Sequence, residues 1–330
     1  MRGTVDPMRD AVGRDIDYIR VSITDRCNLR CAYCMPEEGV TKLQHKDILS
    51  FEQIGTVCRV LAGLGTRTVK ITGGEPLVRK GAVKLVELLK NIPGIDMVTM
   101  TTNGILLSGL ADALKRAGLD GVNISLDTLN PDVYRELTRG GDVTAAVRGL
   151  DSALLAGIDT VKVNCVPLHG VVGQGLVDIA GLAREKPVHV RFIEVMPVGF
   201  GKLFQPFGLD KLRGMLENAY GTLQPSAVSL GNGPARYYTL PGFAGNIGFI
   251  ETLGQDICSR CNRLRLTADG RLKTCLHMDS GIDLWPVLAA GDESVLEKTL
   301  VQAIQNKPGH HCFRTRSASP ENRPMSQIGG

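Results

Sequence analysis

The sequence has no stretch of about 18 uninterrupted apolar residues, which excludes a membrane-spanning helix. It has little net charge. Thirty-eight Lys and Arg against 34 Asp and Glu leave +4, too mild a balance to imply nucleic-acid binding. The start, Met1 to Asp15, lacks the apolar run of a secretory signal and mixes in Arg2, Asp6, Arg9, Asp10 and Arg14 instead. Met8 is a second candidate start, which would leave residues 1–7 outside the native chain. There is no internal repeat and no low-complexity tract. No G-x4-G-K-[ST] loop is present, and Gly63-Leu64-Gly65 lacks the third glycine and the preceding strand of a dinucleotide fingerprint.

What is present is an ordinary globular composition, 43% hydrophobic and 22% charged, which excludes wholesale disorder. A length of 330 residues suits about two domains, or one large α/β barrel with an extension. A core of that size stands without disulfide staples. The nine cysteines are odd in number and unevenly spaced, with no export signal. They fit a reducing, cytoplasmic compartment in which thiolates bind metal or stay free.

Tyr18 to Thr24 (YIRVSIT) alternates and is rich in β-branched residues, predicting a strand that ends in a polar, cysteine-bearing loop. Ser50 opens a helix, since Gln53 completes a capping box and Ile54, Val57, Val60 and Leu61 recur at helical spacing. Further strands are predicted at 68–72, 97–102, 121–126, 160–166 and 188–195. Helical stretches separate them, most clearly at 83–89, 107–114, 143–155 and 176–182. Strands alternating with helices predict an α/β fold with a parallel sheet. Six such units fall short of the eight that close a barrel, so the expected fold is a partial (βα)6 TIM-type barrel over residues 1–225. Residues 226–330, with Gly and Pro clusters at 231–234 and 241–248, read as a smaller, more irregular domain. The tail after Lys307 carries Arg314, Arg316 and Arg323 against Glu321 and reads as a basic, flexible end. Each predicted strand ends in polar or glycine-rich sequence, on the edge where α/β folds build sites.

Cys27, Cys31 and Cys34 form C-x3-C-x2-C directly after the first strand. Three thiolates from one loop suit a [4Fe–4S] cube with one iron left open. A structural zinc site completed by a distant fourth ligand is the alternative. Cys258, Cys261 and Cys275 form a second group, C-x2-C-x13-C, for which Cys312 and His277 are candidate fourth ligands. Spacing alone favours structural zinc there. Arg260, Arg263 and Arg265 interleave with these thiolates, which suits an anionic ligand beside the metal. Cys58 and Cys165 fall on apolar elements and read as packed core thiols.

Several segments together resemble the radical S-adenosylmethionine (SAM) enzymes, and within them the GTP 3′,8-cyclase family of molybdenum cofactor biosynthesis. They are Tyr18 to Pro36, Thr72-Gly73-Gly74-Glu75-Pro76, Thr101 to Gly104, Asn123 to Asp127, Arg191 to Pro197, the second triplet with Arg263-Leu264-Arg265, and Met325 to Gly330. The resemblance covers nearly the whole chain. The first triplet specifies the superfamily; the second triplet and the terminal diglycine specify the family. The resemblance implies two [4Fe–4S] clusters, held by Cys27, Cys31 and Cys34 and by Cys258, Cys261 and Cys275. It implies SAM bound by Tyr33, Gly74, Ser125 and Met196, with Glu75 near its amino group. GTP contacts fall to Arg20, Lys70, Thr101, Lys162, Arg263, Leu264 and Arg265, with Arg191 lining the same cavity. Catalytic roles fall to Arg20, Arg263, Arg265 and the Gly329-Gly330 tail, which would reach into the cavity.

By the same resemblance the enzyme is a radical SAM lyase that forms 3′,8-cyclo-7,8-dihydro-GTP. It takes electrons from a low-potential flavodoxin- or ferredoxin-type donor and passes its product to cyclic pyranopterin monophosphate synthase. No nucleic-acid or membrane partner is expected, and the chain is a monomer or a homodimer. One departure stands out: where the family has Lys-Ile-Arg before its Thr-Gly-Gly-Glu-Pro, this chain has Thr68-Val69-Lys70. A cation is lost at Thr68 and a bidentate fork at Lys70. The alternatives are a radical SAM enzyme acting on another substrate such as a peptide, and a non-catalytic zinc or nucleic-acid binding protein.

Overall fold

The computed structural model describes residues 8–168, 174–228, 230–231, 233–252, 256–310 and 321–329. Residues 1–7, Cys312, Arg314, Arg316 and Gly330 lie outside them. The first part of the chain runs β1 (Tyr18–Ser22), α1 (Phe51–Leu64), β2 (Thr68–Thr72), α2 (Ala82–Lys90), β3 (Met97–Thr102), α3 (Ala111–Arg116), β4 (Gly121–Ser125), α4 (Pro131–Thr138), α5 (Val143–Leu155), β5 (Thr160–Cys165), α6 (Gln174–Glu185), β6 (His189–Ile193), α7 (Leu209–Tyr220) and β7 (Gln224–Pro225). The remainder runs β8 (Arg236–Thr239), β9 (Ile247–Ile250), α8 (Asp256–Ser259), β10 (Arg263–Leu266), β11 (Arg271–Lys273), β12 (Ile282–Asp283), α9 (Trp285–Ala290), α10 (Glu293–Gln305) and α11 (Met325–Ile328).

The expected six parallel strands pair in chain order from β1 to β6. Two further parallel strands extend them: β9 joins the β6 edge and β10 joins the β1 edge. β11 and β12 then continue beyond β10, and β8 and β7 beyond β9, in antiparallel pairs. β9 and β10 do not pair with each other, so the sheet stays open. The strands on either side of residue 225 share this one sheet. No helix of the described residues is long and apolar enough to cross a membrane.

Local chemistry accounts for the elements. Ser50 and Gln53 cap α1 reciprocally, as the sequence predicts. Asn130 accepts from the Asp132 and Val133 amides and Pro131 occupies the first turn, which is enough to start the short helix α4. The helix expected over 107–114 is broken into a 3₁₀ turn, Leu107–Gly109, followed by α3, because Ser108 and Gly109 interrupt the helix formers. Cys58 and Cys165 are fully buried in the core, as expected.

Candidate active site

Parallel strands covered on both faces read as continuous apolar runs, yet every strand from β1 to β6 alternates. Ile19, Val21, Val69, Ile71, Val98, Met100, Val122, Ile124, Val161, Val163, Val190 and Phe192 lie in the helix-covered core. The intervening positions are polar and stand side by side. Arg20 is flanked by Arg265 on β10 and Lys70 on β2. Thr101 neighbours Asn123, which neighbours Lys162, while Asn164 neighbours Arg191.

In a flat sheet β2 and β6 would stand about 19 Å apart, at roughly 4.8 Å per strand. Yet Arg191 on β6 helps lower the Lys70 pKa. The sheet is therefore curled, and its polar face lines a lumen. Buried cations crowd there. Burial first, then Arg191, pushes Lys162 down to about 7; burial, then Arg20 and Arg263, pushes Arg265 down to about 9. Lys70 falls well below the ordinary lysine range, and Arg20 is lowered by burial together with Arg263 and Arg191. His189 is pushed down to about 4 by burial and then by Lys162 and Arg191. Neutral groups hold two of the cations in place. Arg191 donates to Asn164 Oδ1 from Nε at 2.9 Å and from Nη2 at 2.5 Å, and Lys162 Nζ donates to the Leu230 carbonyl at 2.7 Å. A polyanion is the ligand that relieves such mutual repulsion. Leu264 sends its side chain into the core, so any contact it makes with a ligand in the lumen is through its backbone.

The first cysteine loop is sewn onto the glycine turn after β2. Ile23 N–H donates to Thr72 O, Gly74 N–H to Thr24 O and Glu75 N–H to Arg26 O, at 2.9, 2.7 and 2.8 Å. A Cβ on Gly74 would lie 2.4 Å from Arg26 O, so only glycine allows this approach. Burial pushes Cys27 up to about 11 and Cys34 up to about 12. Cys31 rises well above the usual thiol range, by burial and then by Cys34, Asp127 and Cys27. Three half-buried thiols that repel one another's charge become a stable thiolate set only around a multivalent cation, which fits an iron–sulfur cluster. Among the described residues no three His, Cys, Asp or Glu side chains close around a single ion. A cube takes one thiolate at each of several corners, so its ligands need not meet at a point.

Around this loop, Tyr33 donates from its hydroxyl to Asp127 Oδ2 at 2.8 Å, while Asp127 Oδ1 accepts from the Val166 amide at 2.7 Å. Burial raises Asp127 to about 6. Glu75, raised to about 7 by burial, accepts from Thr102 Oγ1 at 2.7 Å, from the Asn103 amide at 2.7 Å and from the Leu77 amide at 3.0 Å. Its carboxylate thus ties the end of β2 to the end of β3. Asn103 in turn donates to Asn28 beside Cys27 at 2.8 Å. Asn28, Asn103 and Asp127 were not singled out from the sequence, although each lies inside a quoted motif. Ser125 ends β4, and Met196 packs against a small cluster of Val198, Leu276 and Ile328.

The second triplet lies beside β10. The Cys261 amide donates to the Cys258 carbonyl at 3.2 Å. Burial raises the Cys261 thiol, but Arg263 and Lys307 outweigh it and bring the group down to about 6. Lys307, nearly fully buried, donates from Nζ to the Arg263 carbonyl at 2.8 Å and to the Thr274 carbonyl, and both Cys261 and Cys275 act on its charge. Arg14 Nη1 donates to the Cys258 carbonyl at 2.6 Å. A cation-ringed set of thiolates fits a metal cluster here too. The C-terminal segment, read from the sequence as part of a flexible end, is instead docked: Glu321, Ser326 and Ile328 are buried, and Arg265 donates to the Gly329 carbonyl at 2.7 Å.

Residues 21–183 match the model of the Radical SAM superfamily, and residues 188–313 match that of Molybdenum Cofactor Synthesis C. The chain is 47% identical over 328 residues to the GTP 3′,8-cyclase of Moorella thermoacetica, covering 98% of this chain and all of that protein. It is 45% identical over 325 residues to the GTP 3′,8-cyclase of Alkaliphilus oremlandii, with the same coverage. In fold it is similar to Streptococcus suis SuiB bound to S-adenosylmethionine, with a TM-score of 0.64 at 14% identity, over 91% of this chain and 68% of that one. The chain is thus a radical SAM protein by fold and by its first cysteine loop. Within that superfamily it belongs to the GTP 3′,8-cyclase family.

Proposed function

We propose that the chain is a radical SAM lyase that converts GTP to (8S)-3′,8-cyclo-7,8-dihydroguanosine 5′-triphosphate, an early step of molybdenum cofactor biosynthesis. The observation that carries this reading is the lumen itself, where buried, mutually repelling cations lie between two three-cysteine sites. Such a lumen suits a triphosphate far better than a neutral substrate.

Cys27, Cys31 and Cys34 would hold one [4Fe–4S] cluster and Cys258, Cys261 and Cys275 a second, three thiolates being available to each. When bound, the first cluster and SAM supply the one-electron chemistry that generates a carbon radical. Tyr33, Gly74, Ser125 and Met196 contact SAM, and Glu75 fixes the turn on which Gly74 sits. Lys70, Lys162 and Arg191 hold phosphates, Arg20 and Arg265 sit between them and the second cluster, and Thr101 and the Leu264 backbone complete the wall. Arg263, Arg265 and the terminal glycines orient the ribose and guanine, so that the reacting atoms meet without diffusion. Residues 1–225 supply the radical half and residues 226–330 the substrate half. A cytoplasmic flavodoxin- or ferredoxin-type donor delivers the electron, and cyclic pyranopterin monophosphate synthase takes the product.

Anaerobic reconstitution followed by incubation with GTP, SAM and a low-potential reductant tests the reading. Formation of the cyclised nucleotide is expected; SAM cleaved with GTP untouched would overturn it. The Cys31→Ser variant should lose SAM cleavage, and its iron content should fall from about eight to about four per chain. An unchanged iron count would argue against the first ligand set.

A further inference from the structure

Lys273 and Glu321 form an ion pair with no solvent exposure at either side chain. Loss of one partner from a charge pair this deep is strongly destabilising, so the pair constrains both segments that carry it. Lys273 sits on β11 directly across from Arg265 on β10. That pairing gives the C-terminal segment its path. It leaves Lys273 at Glu321, turns through α11, and returns at Gly329 to Arg265, the cross-strand neighbour of the residue where it began.

Secondary contacts fix the same path. Arg323 donates from its amide to Glu321 Oε1 at 2.9 Å and reaches Asp269 with its guanidinium at 3.8 Å. Gly199, at φ +51°, lies under the turn; a Cβ there would stand 2.7 Å from Arg323 O and 3.3 Å from the Pro324 Cα. Ile328 is fully buried on Val198 and Leu276. Gly329 then fits between Ser22 and Thr72, where a Cβ would meet Ser22 Cβ at 3.3 Å and Thr72 Cγ2 at 3.2 Å.

We propose that Lys273 and Glu321 are a positioning pair: they anchor the C-terminal segment to the cross-strand partner of Arg265 and so set how far Gly329 reaches into the lumen. Neither side chain is assigned to the substrate. The inference rests on the cyclase reading for its effect on turnover, but not for its effect on docking.

The test compares the reconstituted parent with Glu321→Gln and with the double variant Lys273→Met/Glu321→Leu, which removes both charges and leaves none buried alone. Amide exchange of the peptide covering 321–330 reads docking directly. Iron content and SAM affinity report an intact remainder. Both variants are expected to keep both clusters and SAM binding; Glu321→Gln, which strands the Lys273 charge, should lose protection over 321–330 by at least about tenfold and kcat by about a hundredfold, the scale of an ångström-sized misplacement, whereas the double variant should recover much of the protection. Parent-like protection and parent-like kcat in Glu321→Gln would overturn the proposal, as would loss of protection spread evenly over the whole chain. If the parent turns over no GTP, the cyclase reading fails, while the exchange comparison still decides the anchor.

Discussion

Lys70 and Lys162 carry much of what is particular about this lumen. A buried lysine deprotonates readily, whereas an arginine stays charged and offers a planar fork. Lys70→Arg should therefore tighten GTP binding by up to about tenfold, the equivalent of about 1.4 kcal/mol for one added charge-assisted hydrogen bond. Calorimetric titration checks it, and no gain would mean that Thr68-Val69-Lys70 costs the site nothing. Lys162 gives a pH signature. Its pKa is pushed down to about 7, while a bound triphosphate favours the ammonium. Below about 7 the ammonium is already present; above it, binding must draw a proton onto Lys162. GTP affinity should thus weaken as pH rises from about 7.5 to 9.5, by up to about tenfold per unit, and Lys162→Arg should flatten that slope. A parent profile with no such slope would sink the assignment. These cations were legible in the sequence only through the family resemblance, since each by itself reads as a solvated surface charge. Lys273 and Glu321 were not, since 48 residues separate them and each looks like an ordinary surface charge until the fold joins them.

At the scale of elements, the turn after β2 and the loop after β1 act as one piece. Gly74→Ala would drive a methyl against Arg26 O, so the two loops must part. The variant is expected to lose the first cluster while keeping the second, leaving about four irons per chain, measured by iron analysis and by the spectrum of the remaining centre. Retention of both would show that the loops can give way. The six strands and most helices between them could be read from caps and periodicity, as at Ser50, Gln53 and the run from Val143 to Leu155. α4 escaped because its apolar positions are few, although Asn130-Pro131 is a starting cap. β9 and β10 escaped for another reason: four-residue strands carry little periodicity, and their parallel pairing is dictated by the two open edges they fill.

On the scale of the whole molecule, the C-terminal segment couples the parts. Ile328 touches Leu276, the neighbour of Cys275, and Met196 at the end of the barrel, while Gly329 meets Arg265. Removal of Gly329 and Gly330 is expected to abolish cyclisation while both clusters and SAM binding persist, as followed by product assay and iron content. Full activity of the shortened chain would separate the segment from catalysis. Its docking could not be read from composition, because an arginine-bearing tail looks solvated until the fold buries Ser326 and pairs Glu321 with Lys273.

β9 and β10 are consecutive strands in the chain yet flank the six central strands on opposite sides, β10 pairing with β1 across some 245 positions of sequence, as in Tyr18 with Arg263. Pairings that distant carry a high loop-closure cost, and the Cys27 loop too draws on distant partners, from Asn103 to the Leu137 and Thr138 carbonyls that the Ala32 and Arg30 amides reach. The six central strands therefore gain both flanking parallel neighbours only when the chain as far as β10 is in place.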